Sequence, residues 1–233
     1  MGLHLEQVVP WGRSLAEYTG MFALGTAELN QKLLDCGGGP ASFNAELTQQ
    51  GGHVVSCDPI YQFTKAEIAQ QIRATYGVIL NGVRQHLDCY VWREIPSPEA
   101  LGKVRMTAMK QFLADFETGL QANRYQVAAL PHLPFANQTF ELALCSHLLF
   151  TYTQQLSLNF HVSALAELCR VATEVRIFPL LQLSGEPSPH LAAAIAQCQL
   201  WGLDTEIVTV PYEFQRGGNQ MLRIRQSRKR FIR

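Results

Sequence analysis

The chain has 233 residues, 47% of them hydrophobic and 16% charged, which excludes a disordered segment and leaves room for one sizeable buried core. No apolar run approaches the ~20 residues of a membrane-spanning helix, and the opening "MGLHLEQVVPWGR" lacks the basic-then-apolar layout of a secretory signal. Formal charge sums to zero, but the last eleven residues, "RIRQSRKRFIR", hold six basic and no acidic side chains, leaving 1–222 at a net −6.

A body of that sign does not invite a polyanion. The tail reads as a solvated end or a charge-guarded edge strand, with nucleic-acid phosphates as the alternative partner. Glu6 stands where N-myristoylation after Met1-Gly2 needs Ser or Thr. The six cysteines, at 36, 57, 89, 145, 169 and 198, contain no CxxC and no zinc spacing. No metal site is expected, and a reduced, cytoplasmic setting follows.

In chain order, "KLLDC" is a short buried strand, followed by Gly37-Gly38-Gly39 and a helix over about 41–50 with Phe43 and Leu47 on one face. Gly51-Gly52 ends that helix, and "HVVSC" is the second strand. Thr64 and Glu67 form a capping box opening a helix through Ile68, Ile72 and Tyr76. Residues 78–124 read as a helical insertion. Val83, Leu87 and Tyr90 suggest one of its helices. Ser97-Pro98 opens another, with Leu101, Val104, Ala108, Phe112, Phe116 and Leu120 on its apolar face.

"YQVAAL" (125–130) and "ELALC" (141–145) are the third and fourth strands, and a helix over about 159–170 leads to "EVRIFPLL" as the fifth. A helix over 190–201 stops at Gly202, and "TEIVTV" and "QMLRIR" make a closing antiparallel hairpin. This alternation implies an α/β fold, a doubly wound and mostly parallel seven-stranded sheet with an antiparallel edge hairpin, in one domain spanning 1–233.

Ligands of such sheets bind beyond the carboxyl ends of the strands, where the first strand delivers Asp35-Cys36-Gly37-Gly38-Gly39. A dinucleotide fingerprint would need glycine at 42, which is Ser42, and Asp35 would repel a pyrophosphate. Asp58 closes the second strand 21 residues after Gly37, the spacing of a carboxylate that holds ribose hydroxyls. A nucleoside bearing an ammonium group satisfies both acids, and S-adenosylmethionine (SAM) is such a molecule.

At these positions the chain resembles the class I SAM-dependent methyltransferases. "LLDCGGGPAS" is similar to their first motif, "VVSCDPIY" to the second, and "LPHLPFANQTFELALCSHLLF" to the region between the third and fourth strands. The resemblance covers about 31–179, and the closing hairpin agrees with it. It implies a Rossmann-like fold and methyl transfer from SAM, with S-adenosylhomocysteine as product; the negative body of the chain makes a small molecule the expected acceptor. It also implies that Gly37, Gly38 and Gly39, with Cys36, approach the methionine moiety, and that Asp35 reaches its amino group. Asp58 and Pro59 would border the ribose and Ile60 and Leu130 the adenine, while Ser146 and His147 line the cofactor and acceptor side.

Ala128-Ala129 stand where the family commonly has Gly-Asp, so backbone groups near Leu130 would meet the adenine edge. No Asp/Asn-Pro-Pro-Tyr/Phe follows the fourth strand, which argues against amino-methylation of nucleic acids. His147 is the candidate general base, although a histidine there can equally shape the pocket. In "PWGRSLAEYTGMF", Tyr18 or Arg13 would meet the cofactor's carboxylate, and core packing of Trp11, Tyr18 and Phe22 explains the same residues. His132, His161 and His190 are scattered without metal spacing. Three rival readings are a methyltransferase-like interaction protein without turnover, a nicotinamide oxidoreductase, and an RNA methyltransferase guided by the basic tail.

Overall fold

A computed structural model describes residues 8–227. Two short helices, α1 (Leu15–Phe22) and α2 (Thr26–Leu29), precede strand β1 (Lys32–Cys36). Next come α3 (Phe43–Gln49), β2 (His53–Cys57), α4 (Lys65–Gln85), α5 (Pro98–Gln121) and β3 (Tyr125–Gln126). The chain continues through β4 (Phe140–Ser146), α6 (Leu158–Val171), β5 (Ala172–Phe178), α7 (Leu191–Leu200), β6 (Leu203–Thr209) and β7 (Gln220–Gln226).

The seven strands form one sheet in the order β3-β2-β1-β4-β5-β7-β6. The first five run parallel, and β7 is antiparallel to both β5 and β6. This is the doubly wound class I methyltransferase architecture implied by the motifs. The reversal of strand order, where β1 sits between β2 and β4, opens a crevice at the carboxyl edge.

Period-two alternation divides the core. Leu34, Cys36, Ala143, Cys145, Val175, Ile177, Leu222 and Ile224 pack under α6 and α7. On the other face Leu33, Leu142, Leu144 and Met221 meet Tyr18 and Phe22 of α1 and Phe43 and Leu47 of α3. Phe112 and Phe116 of α5 close on Ile68, Ile72 and Tyr125. Burying each such side chain contributes roughly 1.5–3 kcal/mol. Three cysteines sit side by side, Cys57 and Cys145 flanking Cys36 across the register, all buried as small apolar groups.

Local signals read from the sequence govern the helix starts. Thr64 Oγ1 accepts from the Glu67 amide while the Glu67 carboxylate accepts from the Thr64 amide at 2.8 Å. Ser97 caps α5 through the Ala100 amide at 3.1 Å, with Pro98 in the first turn.

Several elements depart from expectation, among them the fifth strand, which is Ala172–Phe178 and ends before Pro179 rather than running to Leu181. Val83, Leu87 and Tyr90 do not share a helix. Val83 belongs to α4, which runs unbroken past residue 78, while Leu87–Cys89 is a single 3₁₀ turn and Tyr90 lies beyond it. The third strand shrinks from six residues to Tyr125–Gln126 because β2 offers it partners only at Ser56 and Cys57. Ala129 instead bridges His132 in a tight reversal. Helix α3 begins at Phe43 rather than 41, with Ser42 as its N-cap residue.

Candidate active site

The carboxyl ends of β1, β2 and β4 border a cavity of about 460 Å³. Cys36, Gly37, Gly38, Gly39, Asp58, Pro59, Ile60, Leu130, Ser146, His147 and Tyr18 all line it. Asp35 does not line it.

The turn after β1 has left-handed φ at Gly37 (70°) and Gly39 (53°), a conformation that costs any other residue. A Cβ on Gly38 would lie 2.1 Å from Asp35 Oδ2, so the bend rests directly on that carboxylate. A Cβ on Gly39 would meet nothing within 4 Å except Asp58 Oδ2 at 3.9 Å; the backbone is bare where it faces the cavity. Across the turn, Asp58 accepts from the Gly39 amide at 3.0 Å and the Ile60 amide at 2.8 Å, one bond on each oxygen. Burial pushes its carboxyl up from the ordinary value, and these two amides oppose that shift.

Asp35 is 1% exposed. Its Oδ1 accepts from the Tyr18 hydroxyl and its Oδ2 from the Ser56 hydroxyl, both at 2.9 Å. Burial pushes its carboxyl up to about 7, against the two hydrogen bonds and with help from the Asp58 charge. The Tyr18 ring stacks on Phe43 with centroids 4.2 Å apart, so this residue serves both the core and the site.

His147 follows β4 with φ 50°, its amide donating to the Phe178 carbonyl at 2.7 Å. Its Nδ1 is 2.9 Å from Ser146 Oγ. Burial, then the charges of Arg13 and Arg105, holds the imidazole well below its usual pKa, so it is neutral at physiological pH.

The N-terminal segment straps this site. A Cβ on Gly12 would be 2.0 Å from the Pro40 carbonyl oxygen, so only glycine lets the strap cross the turn, and Arg13 O accepts from the Ser42 amide at 3.0 Å. Helix α1 opens with a Ser14/Glu17 capping box whose glutamate also accepts both contacts of Arg105 Nη1 at 2.5 Å. Tyr212 donates to the same carboxylate at 3.1 Å. Burial works to raise Glu17, but Arg105 outweighs it and the net shift is downward.

Sequence reading missed Arg105, Glu17, Thr151, Tyr152 and Tyr212 on or beside this cavity. Two signals were present: a Ser-x-x-Glu capping pattern at 14–17, and a basic residue at 105 inside the apolar stripe of α5. Outside the site, Arg223 pairs with Glu206, and Arg225 pairs with Glu174 at 2.5 Å, so two of the six tail cations are engaged on the sheet. The other four lie outside the described residues. Among the described residues, no helix is long and apolar enough to cross a membrane, and no three metal-ligating side chains cluster.

No protein-family profile matches the chain. Among solved structures, it is similar to the magnesium protoporphyrin IX methyltransferase ChlM from Synechocystis PCC 6803 with bound SAM, at 12% identity and TM-score 0.46, over 91% of this chain and 78% of that one. It is also similar to a SAM dependent methyltransferase from Aquifex aeolicus, at 14% identity and TM-score 0.40, over 84% and 80% of the two chains. Both likenesses are distant, and the architecture described above rests on the strand order itself. In sequence, the chain is 32% identical over 229 residues to the protein named Uncharacterized protein MJ0045 from Methanocaldococcus jannaschii, covering 96% of this chain and 99% of that protein. With that identity along nearly the whole of both chains, the protein belongs to the family of the Methanocaldococcus jannaschii protein MJ0045.

Proposed function

We propose that the chain binds SAM across the Gly37–Gly39 turn and transfers its methyl group to a small-molecule acceptor. One juxtaposition supports the reading above all: bare left-handed backbone at Gly37 and Gly39 facing a carboxylate, Asp58, across a single cavity. Each Asp58 oxygen accepts one amide bond and keeps a lone pair for a ribose hydroxyl. Ile60 and Leu130 supply apolar walls for adenine. Asp35 lies beneath the bend, so its hold on the cofactor's amino group runs through the turn's backbone and Tyr18 rather than by direct contact.

When bound, SAM would supply an electrophilic sulfonium methyl for in-line transfer to the acceptor nucleophile, with S-adenosylhomocysteine as the leaving group. The chain contributes position and exclusion of water, which suffice for a good nucleophile. Where the acceptor must lose a proton, His147 takes it. That role requires the tautomer in which His147 Nδ1–H donates to Ser146 Oγ and Nε2 is unprotonated.

Calorimetric titration with S-adenosylhomocysteine tests the reading. The wild type should bind in the micromolar range, and Asp58→Asn should weaken binding at least tenfold, about 1.4 kcal/mol. NAD should give no heat. Absence of binding at millimolar S-adenosylhomocysteine overturns the proposal.

A further inference from the structure

The same cavity has a second polar end. Arg105, 1% exposed, directs Nη1 to Glu17, yet its Nε has no hydrogen-bond partner among the described residues. Arg13 donates through Nη1 to the Trp11 carbonyl at 3.2 Å, and its Nε is likewise unpartnered. No carboxylate forms an ion pair with Arg13 among the described residues. The third orphaned atom there is Thr151 Oγ1. All three residues line the cavity.

Unpartnered buried donors are rare, and each forfeits the hydrogen bond it made with water. Here the polar imbalance coincides with a charge imbalance. Two guanidinium groups face one carboxylate, Glu17, which Arg105 already engages. The neighbouring His147 adds no compensating charge, and Tyr18, Tyr152 and Tyr212 are neutral phenols. Burial, then repulsion from Arg105, lowers Arg13 from its ordinary value, so the unliganded site works against its own cation.

We propose that the methyl acceptor is a monoanion, a carboxylate on an apolar body, held by Arg13 and the unpartnered Nε edge of Arg105. This deepens the reading above and rests on it. One uncompensated positive charge matches one carboxylate, and a guanidinium fork suits its planar pair of oxygens. A phosphate dianion would overcompensate. The apolar body follows from the rest of the wall, where Ile79, Val83, Leu101, Phe160 and Phe214 line the same cavity. The methionine carboxylate of the cofactor has the same chemistry and is the competing source of the anion.

The test uses protein saturated with S-adenosylhomocysteine, titrated with butyrate, hexanoate and phenylacetate and with their primary amides. At least one acid should bind tenfold or more tighter than its amide. Arg13→Gln should erase that difference while holding S-adenosylhomocysteine affinity within threefold. Equal affinity of every acid–amide pair in the wild type, which needs no variant to fold, overturns the proposal. So does a tenfold loss of S-adenosylhomocysteine affinity in Arg13→Gln without acid preference, which assigns the anion to the cofactor. If the wild type binds no S-adenosylhomocysteine, the same pairs are titrated alone; acid preference then sustains the anion site and overturns only the cofactor reading.

Discussion

Asp35 occupies a position where ionisation is costly. Its folded-state value of about 7 lies above the 3.8 of an unburied aspartate, so between those values the folded chain keeps a proton that the unfolded chain has lost. Its contribution therefore falls as pH rises from about 4 through about 7 and is level above about 8. Asp35→Asn removes this titration. Urea unfolding should show the wild type losing on the order of a few kcal/mol relative to Asp35→Asn between pH 5 and pH 8. A pH-independent difference between the two would refute the assignment.

At Gly39, stability and binding should separate. A Cβ there meets no protein atom within 3.9 Å, so Gly39→Ala costs only the left-handed strain at φ 53°, roughly 1–2 kcal/mol. The methyl group fills the space the cofactor would need. Thermal melting should move by a few degrees, whereas S-adenosylhomocysteine affinity should fall tenfold or more.

Among the elements, the N-terminal strap and α5 are tied together by charge. Glu17→Gln leaves the Arg105 guanidinium buried without its counter-charge, a change that costs about 3–5 kcal/mol and should be read by urea unfolding. Arg105→Met with Glu17→Gln removes both charges and should recover much of that loss. The strap's crossing depends on Gly12, where an added Cβ would collide with the Pro40 backbone. Gly12→Ala should destabilise by about 1–3 kcal/mol and weaken S-adenosylhomocysteine binding with it, since the displaced strap carries Tyr18, which lines the cavity and donates to Asp35. Beyond α5, the segment after α4 docks on the loop between β6 and β7. Val91 N donates to Phe214 O at 2.8 Å, and the Tyr90 ring stacks on Phe214 at 5.0 Å. Those contacts explain why the expected helix through Val83, Leu87 and Tyr90 breaks, since its last member turns away to a partner remote in sequence.

For the whole molecule, the alternation of strands and helices, the caps at Thr64 and Ser97, the glycine bend and the spacing of Asp58 from it were legible in the sequence. Each is a local pattern, and hydrophobic period, capping residues and turn glycines act through neighbours a few positions away. Only the tertiary structure decided that Asp35 lies under the bend, bonded to Tyr18 and Ser56, rather than on the cavity wall. It also decided the length of β3, which depends on how far β2 extends beside it. The Glu17–Arg105 pair, 88 residues apart in the chain, and the unpartnered Arg13 near it likewise emerged only in three dimensions. Whether a charged side chain is compensated depends on which distant elements fold against it, and no local period carries that information.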